Sequence, residues 1–171
     1  ALQRHRPLTL QRTISLPSIS PEDLDAPVLS GFLDLVSLFQ NFDDNFVSLW
    51  NLSGQTASLP FSDDVALVSS THLEALQKVL ALSIPEVSKR SEIQQADLLI
   101  SRQWLKTMVW QLCVTKGLLS SSSRDECMSF YYPVTIARDV VVVSRSLNKE
   151  AFEPHGVGIV SFPMNTIWRS F

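Results

Sequence analysis

The stretch from Glu92 to Thr115 limits what this chain can fold into more than any other. Its first half is amphipathic through Ile93, Ala96 and Ile100. From Trp104 onward, Leu105, Met108, Val109, Trp110, Leu112, Cys113 and Val114 leave only scattered polar positions. An apolar stripe seats a helix on a surface, whereas a helix apolar on most sides must be packed from several directions. Gly117 supplies its natural stop. The spacing therefore predicts a long central helix that the rest of the chain surrounds.

The surrounding segments also read as helices. Pro7, Pro17 and Pro21 among Ser and Thr disfavour a continuous helix over residues 1–26, which is expected to be an extended, surface-hugging lead-in. From Pro27, Leu29, Phe32, Leu33, Val36 and Phe39 recur at helical spacing, and Leu35, Leu38 and Phe42 widen the stripe, so burial on most sides is expected. Asp43 and Asp44 favour the start of a second helix carrying Phe46, Val47, Leu49 and Trp50. Gly54 and Pro60 mark a loop. A third helix is expected from a Ser62 cap, with Asp63 and Asp64 in its first turn, running through Leu67, Val68, Leu73, Leu76, Val79 and Leu80 until Pro85 ends or bends it.

After the polar connector at Ser120–Glu126, Pro133 suits the first turn of a helix in which Ile136, Val140, Val143 and Leu147 share a face. The β-branched run Val140–Val143 would also suit a strand, but no partner strand is evident and an isolated strand has nothing to pair with. The expected fold is all-α, an irregular bundle of about five to six helices behind the lead-in, with no internal repeat.

Composition narrows the function. With 45% hydrophobic and 18% charged residues, this chain of 171 residues is more apolar than a typical freestanding domain and is expected to bury surface against something else. Fourteen Lys and Arg against seventeen Asp and Glu give a net charge of -3, the wrong sign for unaided phosphate binding. The cluster Arg4, His5, Arg6 and Arg12 reads as a solvated arm. Two cysteines, Cys113 and Cys127, are too few for a disulfide framework and fit a reducing compartment. Lys106 and Lys116 flank the richest apolar stretch and keep it too short for a membrane span, and the first thirteen residues lack the apolar segment of a secretory signal. The chain does not begin with methionine and is expected to be a fragment of a longer protein.

No catalytic constellation emerges. The Gly-x-Ser-x-Gly elbow of serine hydrolases is absent, and His5, His72 and His155 read as surface or capping histidines. The "HGVGI" stretch lacks the third glycine and the lysine of a phosphate cradle and reads as a turn. The pairs Asp43/Asp44 and Asp63/Asp64 are better cap and dipole partners than glycosidase carboxylates. Histidine spacings for a metal are missing, and Cys113 and Cys127 have no histidine partners nearby. Asn51-Leu52-Ser53 matches a glycosylation sequon with nothing else pointing to secretion. Trp104 and Trp110 are six positions apart, about 600° around a helix, which anchors two packing surfaces rather than one aromatic cage. Tyr131 and Tyr132 can pack a helix entry and present a hydroxyl to a neighbour.

Three stretches, "QADLLISRQWLKTMVWQL", "MSFYYPVTIARDVV" and "EPHGVGI", together with "LTLQRTISLPSI" and "GFLDLVSLFQNFDDNFVSLWN" before them, resemble in order and spacing the regulatory, or middle homology, region of fungal zinc binuclear cluster transcription factors. The likeness covers about residues 1–160 and is to sugar- and starch-utilisation regulators. It implies a non-enzymatic helical regulatory domain over residues 27–160, part of a larger one, inside a nuclear protein that controls carbohydrate-utilisation genes. The partners implied are other regions of the same factor, regulatory proteins or a second copy in a homodimer. DNA would be reached only through a separate domain, and zinc only through a six-cysteine cluster N-terminal to this segment, so no catalytic, cofactor-binding or metal residue is assigned here. The family continues after "HGVGI" into a charged amphipathic helix. Here "VSFPMNTIWRSF" follows instead, an atypical tail over 161–171 expected to expose Phe162, Trp168 and Phe171. Ser120–Ser123 is a phosphorylation candidate whose plainer reading is a flexible loop. Two other classes fit the composition: a small helical ligand-binding protein or enzyme with a pocket between the fourth and fifth helices, and an interaction module that works as an oligomer.

Overall fold

The computed structural model describes residues 16–20, 22, 24–53, 63–121 and 125–155. Over them the chain is an all-α bundle of α1 (Ala26–Gln40), α2 (Asp44–Ser53), α3 (Asp63–Leu82), α4 (Glu92–Thr115) and α5 (Tyr132–Ser146). Single 3-10 turns lie at Val87–Lys89, Glu126–Met128, Lys149–Ala151 and Glu153–His155. No strand occurs among the described residues, and Val140–Val143 lies inside α5. Residues 16–20 of the lead-in have no regular secondary structure; the rest of it up to residue 15, the Ser62 cap and the tail at 161–171 with Phe162, Trp168 and Phe171 lie outside the described residues.

The central helix is set at both ends by its own sequence. Ser91 Oγ accepts from Gln94 N while Gln94 Oε1 accepts from Ser91 N, a capping box that satisfies two of the orphan amides of the first turn. At the other end Gly117 takes φ +65°, Leu118 N donates to Cys113 O and Gly117 N to Val114 O. This pair of bonds is a Schellman stop, and the left-handed residue it needs is glycine because glycine has no Cβ to clash.

Two apolar clusters surround α4. In the larger, Leu98, Leu105, Val109, Leu112 and Cys113 meet Leu38 of α1, Phe46 of α2, Leu73, Leu76 and Leu80 of α3, and Met128. In the smaller, Trp110 packs with Tyr132 and Ile136 of α5. Each fully buried leucine or isoleucine contributes about 1.5–3 kcal/mol of transfer free energy, so this one helix carries a large share of the cohesion. The separation of the two tryptophans follows: Trp110 joins the smaller cluster, while Trp104 borders the larger one with its ring centroid 6.1 Å from that of Phe39.

At α2, Asp43 Oδ1 accepts from Phe46 N at 2.9 Å, and Phe46 lies between Phe42 and Trp50 at ring distances of 4.5 and 5.9 Å. Asp43 thus acts as a cap, the role its position indicated. α3 ends before Pro85, with Ile84 at φ 63°. That conformation costs a β-branched residue roughly 1–3 kcal/mol, and Ile84 is held in it with its side chain against the larger cluster.

α1 departs from expectation. Only Gly31 and Leu38 are buried, while Val28, Phe32 and Phe39 are exposed. One side alone meets α4, held by Arg90 Nε to Asp34 Oδ2 at 2.6 Å and by the Gln94 carboxamide, which donates to Pro27 O and Val28 O. A Cβ on Gly31 would fall 2.3 Å from that carboxamide, so the glycine makes room for the Gln94 side chain, which a larger residue would displace.

Candidate functional site

Where α3, α4 and α5 meet, the apolar packing is interrupted by a polar seam. Gln77 falls inside the α3 stripe of Leu73, Leu76 and Leu80 and is 1% exposed. Its Nε2 donates to the backbone carbonyl of Lys106 at 2.9 Å, and its Oε1 accepts from Tyr132 Oη at 3.2 Å. One carboxamide therefore ties three helices together. The Lys106 ammonium, almost fully buried, lies 3.4 Å from Asp139 Oδ2 of α5. One turn earlier Arg102 donates from Nη1 to Ser83 O beyond the end of α3, while its buried Nε has no hydrogen-bond partner.

Gln103 is fully buried, and both polar atoms of its side chain lack a partner. Its backbone carbonyl accepts from Thr107 Oγ1 at 2.9 Å. Gln103, Thr107 and Trp110 follow one another at helical spacing on the side of α4 that faces α5.

The seam holds the buried Lys106 and the half-buried Arg102 near one carboxylate. Burial pushes Lys106 below the ordinary lysine range, Asp139 opposes this, and Arg102 adds to it. Burial likewise lowers Arg102, opposed by Asp139 and Tyr132. The Tyr132 hydroxyl is driven upward, chiefly by burial. These groups are arranged to hold helices in register: each hydrogen bond joins a different pair of elements, and no nucleophile is set against a base. Buried polar networks of this kind specify one arrangement when satisfied and destabilise it when a member is orphaned.

The residues singled out in the sequence are dispersed. His72 Nε2 lies 3.2 Å from Asp43 Oδ1, and His155 Nε2 3.2 Å from Ile93 O. Tyr132 presents its hydroxyl to Gln77, as expected, whereas Tyr131 is 75% exposed. Asn51 lies within α2. Ser120 and Ser121 are exposed, and the residues at 122–124, with the "GVGI" of the glycine-rich turn and His5, lie outside the described residues.

Cys113 is buried with its Sγ 3.9 Å from Met128 Sδ, and burial pushes its thiol up to about 12; Cys127 is half-buried and also raised by burial. The two-zinc cluster that the resemblance implies needs six cysteines, which two cannot supply. Among the described residues no group of three His, Cys, Asp or Glu side chains is placed to hold a metal ion. No helix among them is long and apolar enough to cross a membrane. The seam was missed in the sequence, although its signal was present: Gln77 and Gln103 each interrupt an apolar helical stripe.

Two curated fungal proteins are similar to this chain. It is 23% identical over 158 residues to the probable sucrose utilization protein SUC1 of Candida albicans, covering 90% of this chain and 29% of that protein. It is 25% identical over 159 residues to the respiratory transcription factor ZNF1 of Saccharomyces cerevisiae, covering 91% of this chain and 31% of that one. The chain thus spans about a third of the length of these relatives. No family model matches it, and no solved structure does.

Proposed function

We propose that this chain is the helical regulatory part of a fungal transcription regulator, acting in the nucleus by contact with other parts of the same protein or with partner proteins, and not by catalysis. The observation that carries the reading is the similarity that runs through nine-tenths of the chain to two fungal proteins, one named as a transcription factor and the other as a sucrose utilization protein. The all-α fold supports the reading, and the seam left unsatisfied at Gln103 and at Arg102 Nε is the place where binding of a second molecule would bias the helix packing. The controlled genes are proposed to serve carbohydrate use, on the strength of the sucrose utilization relative.

The test is a reporter assay in yeast. The 171-residue chain is placed between an unrelated DNA-binding domain and an unrelated activation segment, and cells are grown on glucose, sucrose, maltose or glycerol. A reporter level that the chain lowers, and that one carbon source restores, supports the reading. Output equal to that of a fusion with an inert spacer of equal length on every carbon source removes it.

A further inference from the structure

α5 buries one face and leaves another bare. Tyr132, Pro133, Ile136 and Val143 are buried, whereas Tyr131, Val134, Val141 and Val142 are 75%, 57%, 45% and 60% exposed. Positions 131, 134, 138, 141 and 145 follow the three- and four-residue spacing of a single helix face, with 142 beside it. The two remaining side chains on that line are Arg138 and Arg145, both exposed. Neither takes part in any ion pair of the described residues.

Two features separate this face from scattered surface hydrophobics. Exposed valines weaken a helix, each less favourable than alanine by roughly 0.6 kcal/mol, so local stability does not account for two of them side by side on the solvent side. The apolar residues are also continuous along the helix and punctuated by one sign of charge, the pattern of a surface that meets a complementary one.

We infer that this face of α5 docks an acidic amphipathic helix of a partner protein, its apolar residues lying on Tyr131, Val134, Val141 and Val142 and its carboxylates meeting Arg138 and Arg145. The charge is the first argument: no carboxylate occupies that line, so an acidic partner is the complementary one. Size is the second. The face spans about four turns, roughly 20 Å, which matches one docked helix. A second copy would bring the same arginines, Arg138 and Arg145, against this face, and like charges brought together disfavour it. Two arginines on a chain of net charge -3 also make a poor nucleic-acid surface.

The inference names a partner chemistry for the contact role proposed above and rests on that reading. Its test uses the full chain and two synthetic helical peptides of about five turns. One carries leucine at helical spacing with glutamate beside it; the other has lysine in place of every glutamate. Binding is read by fluorescence anisotropy, with helicity of each protein variant checked by circular dichroism. Saturable binding of the glutamate peptide is expected, about tenfold or more weaker for the lysine peptide.

Val141→Ser with Val142→Ser should weaken the glutamate peptide at least tenfold, and Arg138→Glu with Arg145→Glu should reverse the preference. The charge-reversal pair keeps the test decisive if the serine variant unfolds. No binding of the glutamate peptide, equal binding of both peptides, or a dimer in light scattering that the serine variant dissolves would each overturn the inference. A carbon-source response in the reporter assay without peptide binding removes this inference alone. Peptide binding without any reporter response removes the regulatory reading instead.

Discussion

Gln103 is the residue at which the local chemistry is least satisfied. A carboxamide removed from water without a partner costs about 1–3 kcal/mol in mutational series, and Gln103 has neither its donor nor its acceptor used. Leucine is of similar size and carries no polar atom. Gln103→Leu is therefore expected to stabilise the chain by about 1–2 kcal/mol, read as a higher urea midpoint at unchanged slope. A loss of stability would mean that the carboxamide has a partner in solution. Gln77 should behave in the opposite way, because both its polar atoms are used. Gln77→Leu orphans the Tyr132 hydroxyl and should cost about 1–3 kcal/mol, measured in the same titration. The two glutamines look alike in the sequence, each a polar residue in an apolar stripe. Only the packing of the helices against one another distinguishes them, which is why neither could be assigned a role from spacing alone.

At the scale of elements, legibility followed how local the determining interaction is. The start and stop of α4 were readable because a capping box and a glycine stop are settled within a few residues. Pro133 at the entry of α5 and Asp43 before α2 belong to the same class. The exposure of α1 was not readable, because its stripe of Leu, Phe and Val does not state how many neighbours will reach it. α5 holds the other ambiguity, four consecutive valines that local propensity assigns to a strand. Ile136 and Val143 buried on one side of it decide for helix. The exposed pair then gives an element-scale prediction. Val141→Ala with Val142→Ala should raise stability by about 1 kcal/mol through helix propensity, seen as a higher melting temperature, while weakening the docking of the acidic peptide. A fall in stability would show that the valines are covered within the chain itself.

The whole molecule couples its sulfur, phenol and amine groups through α4, so its stability at alkaline pH is set by their sum. Cys113 loses its proton near 9.0 when unfolded and near about 12 when folded. Between those values the unfolded chain binds fewer protons, so stability falls as pH rises. Cys127 and Tyr132 are shifted in the same direction by burial and steepen the fall. Lys106 opposes them. Its folded value lies below 10.5, so between the two the unfolded chain binds more protons and stability rises with pH. Lys116, lowered by burial as well, acts with Lys106, but the larger upward shifts of Cys113 and Tyr132 outweigh both amines, and the urea midpoint is expected to hold to about pH 9 and then drop, a single group contributing at most about 1.4 kcal/mol per pH unit. Cys113→Ala should be less stable at neutral pH, because it leaves a cavity in the larger cluster. Its decline above pH 9 should nonetheless be shallower, so the two curves converge. Lys106→Met removes one of the opposing amines and should steepen the decline. Parallel curves for Cys113→Ala and the parent chain would place that thiol in contact with water, and the tight closure of α3 and Met128 over α4 would then not hold in solution.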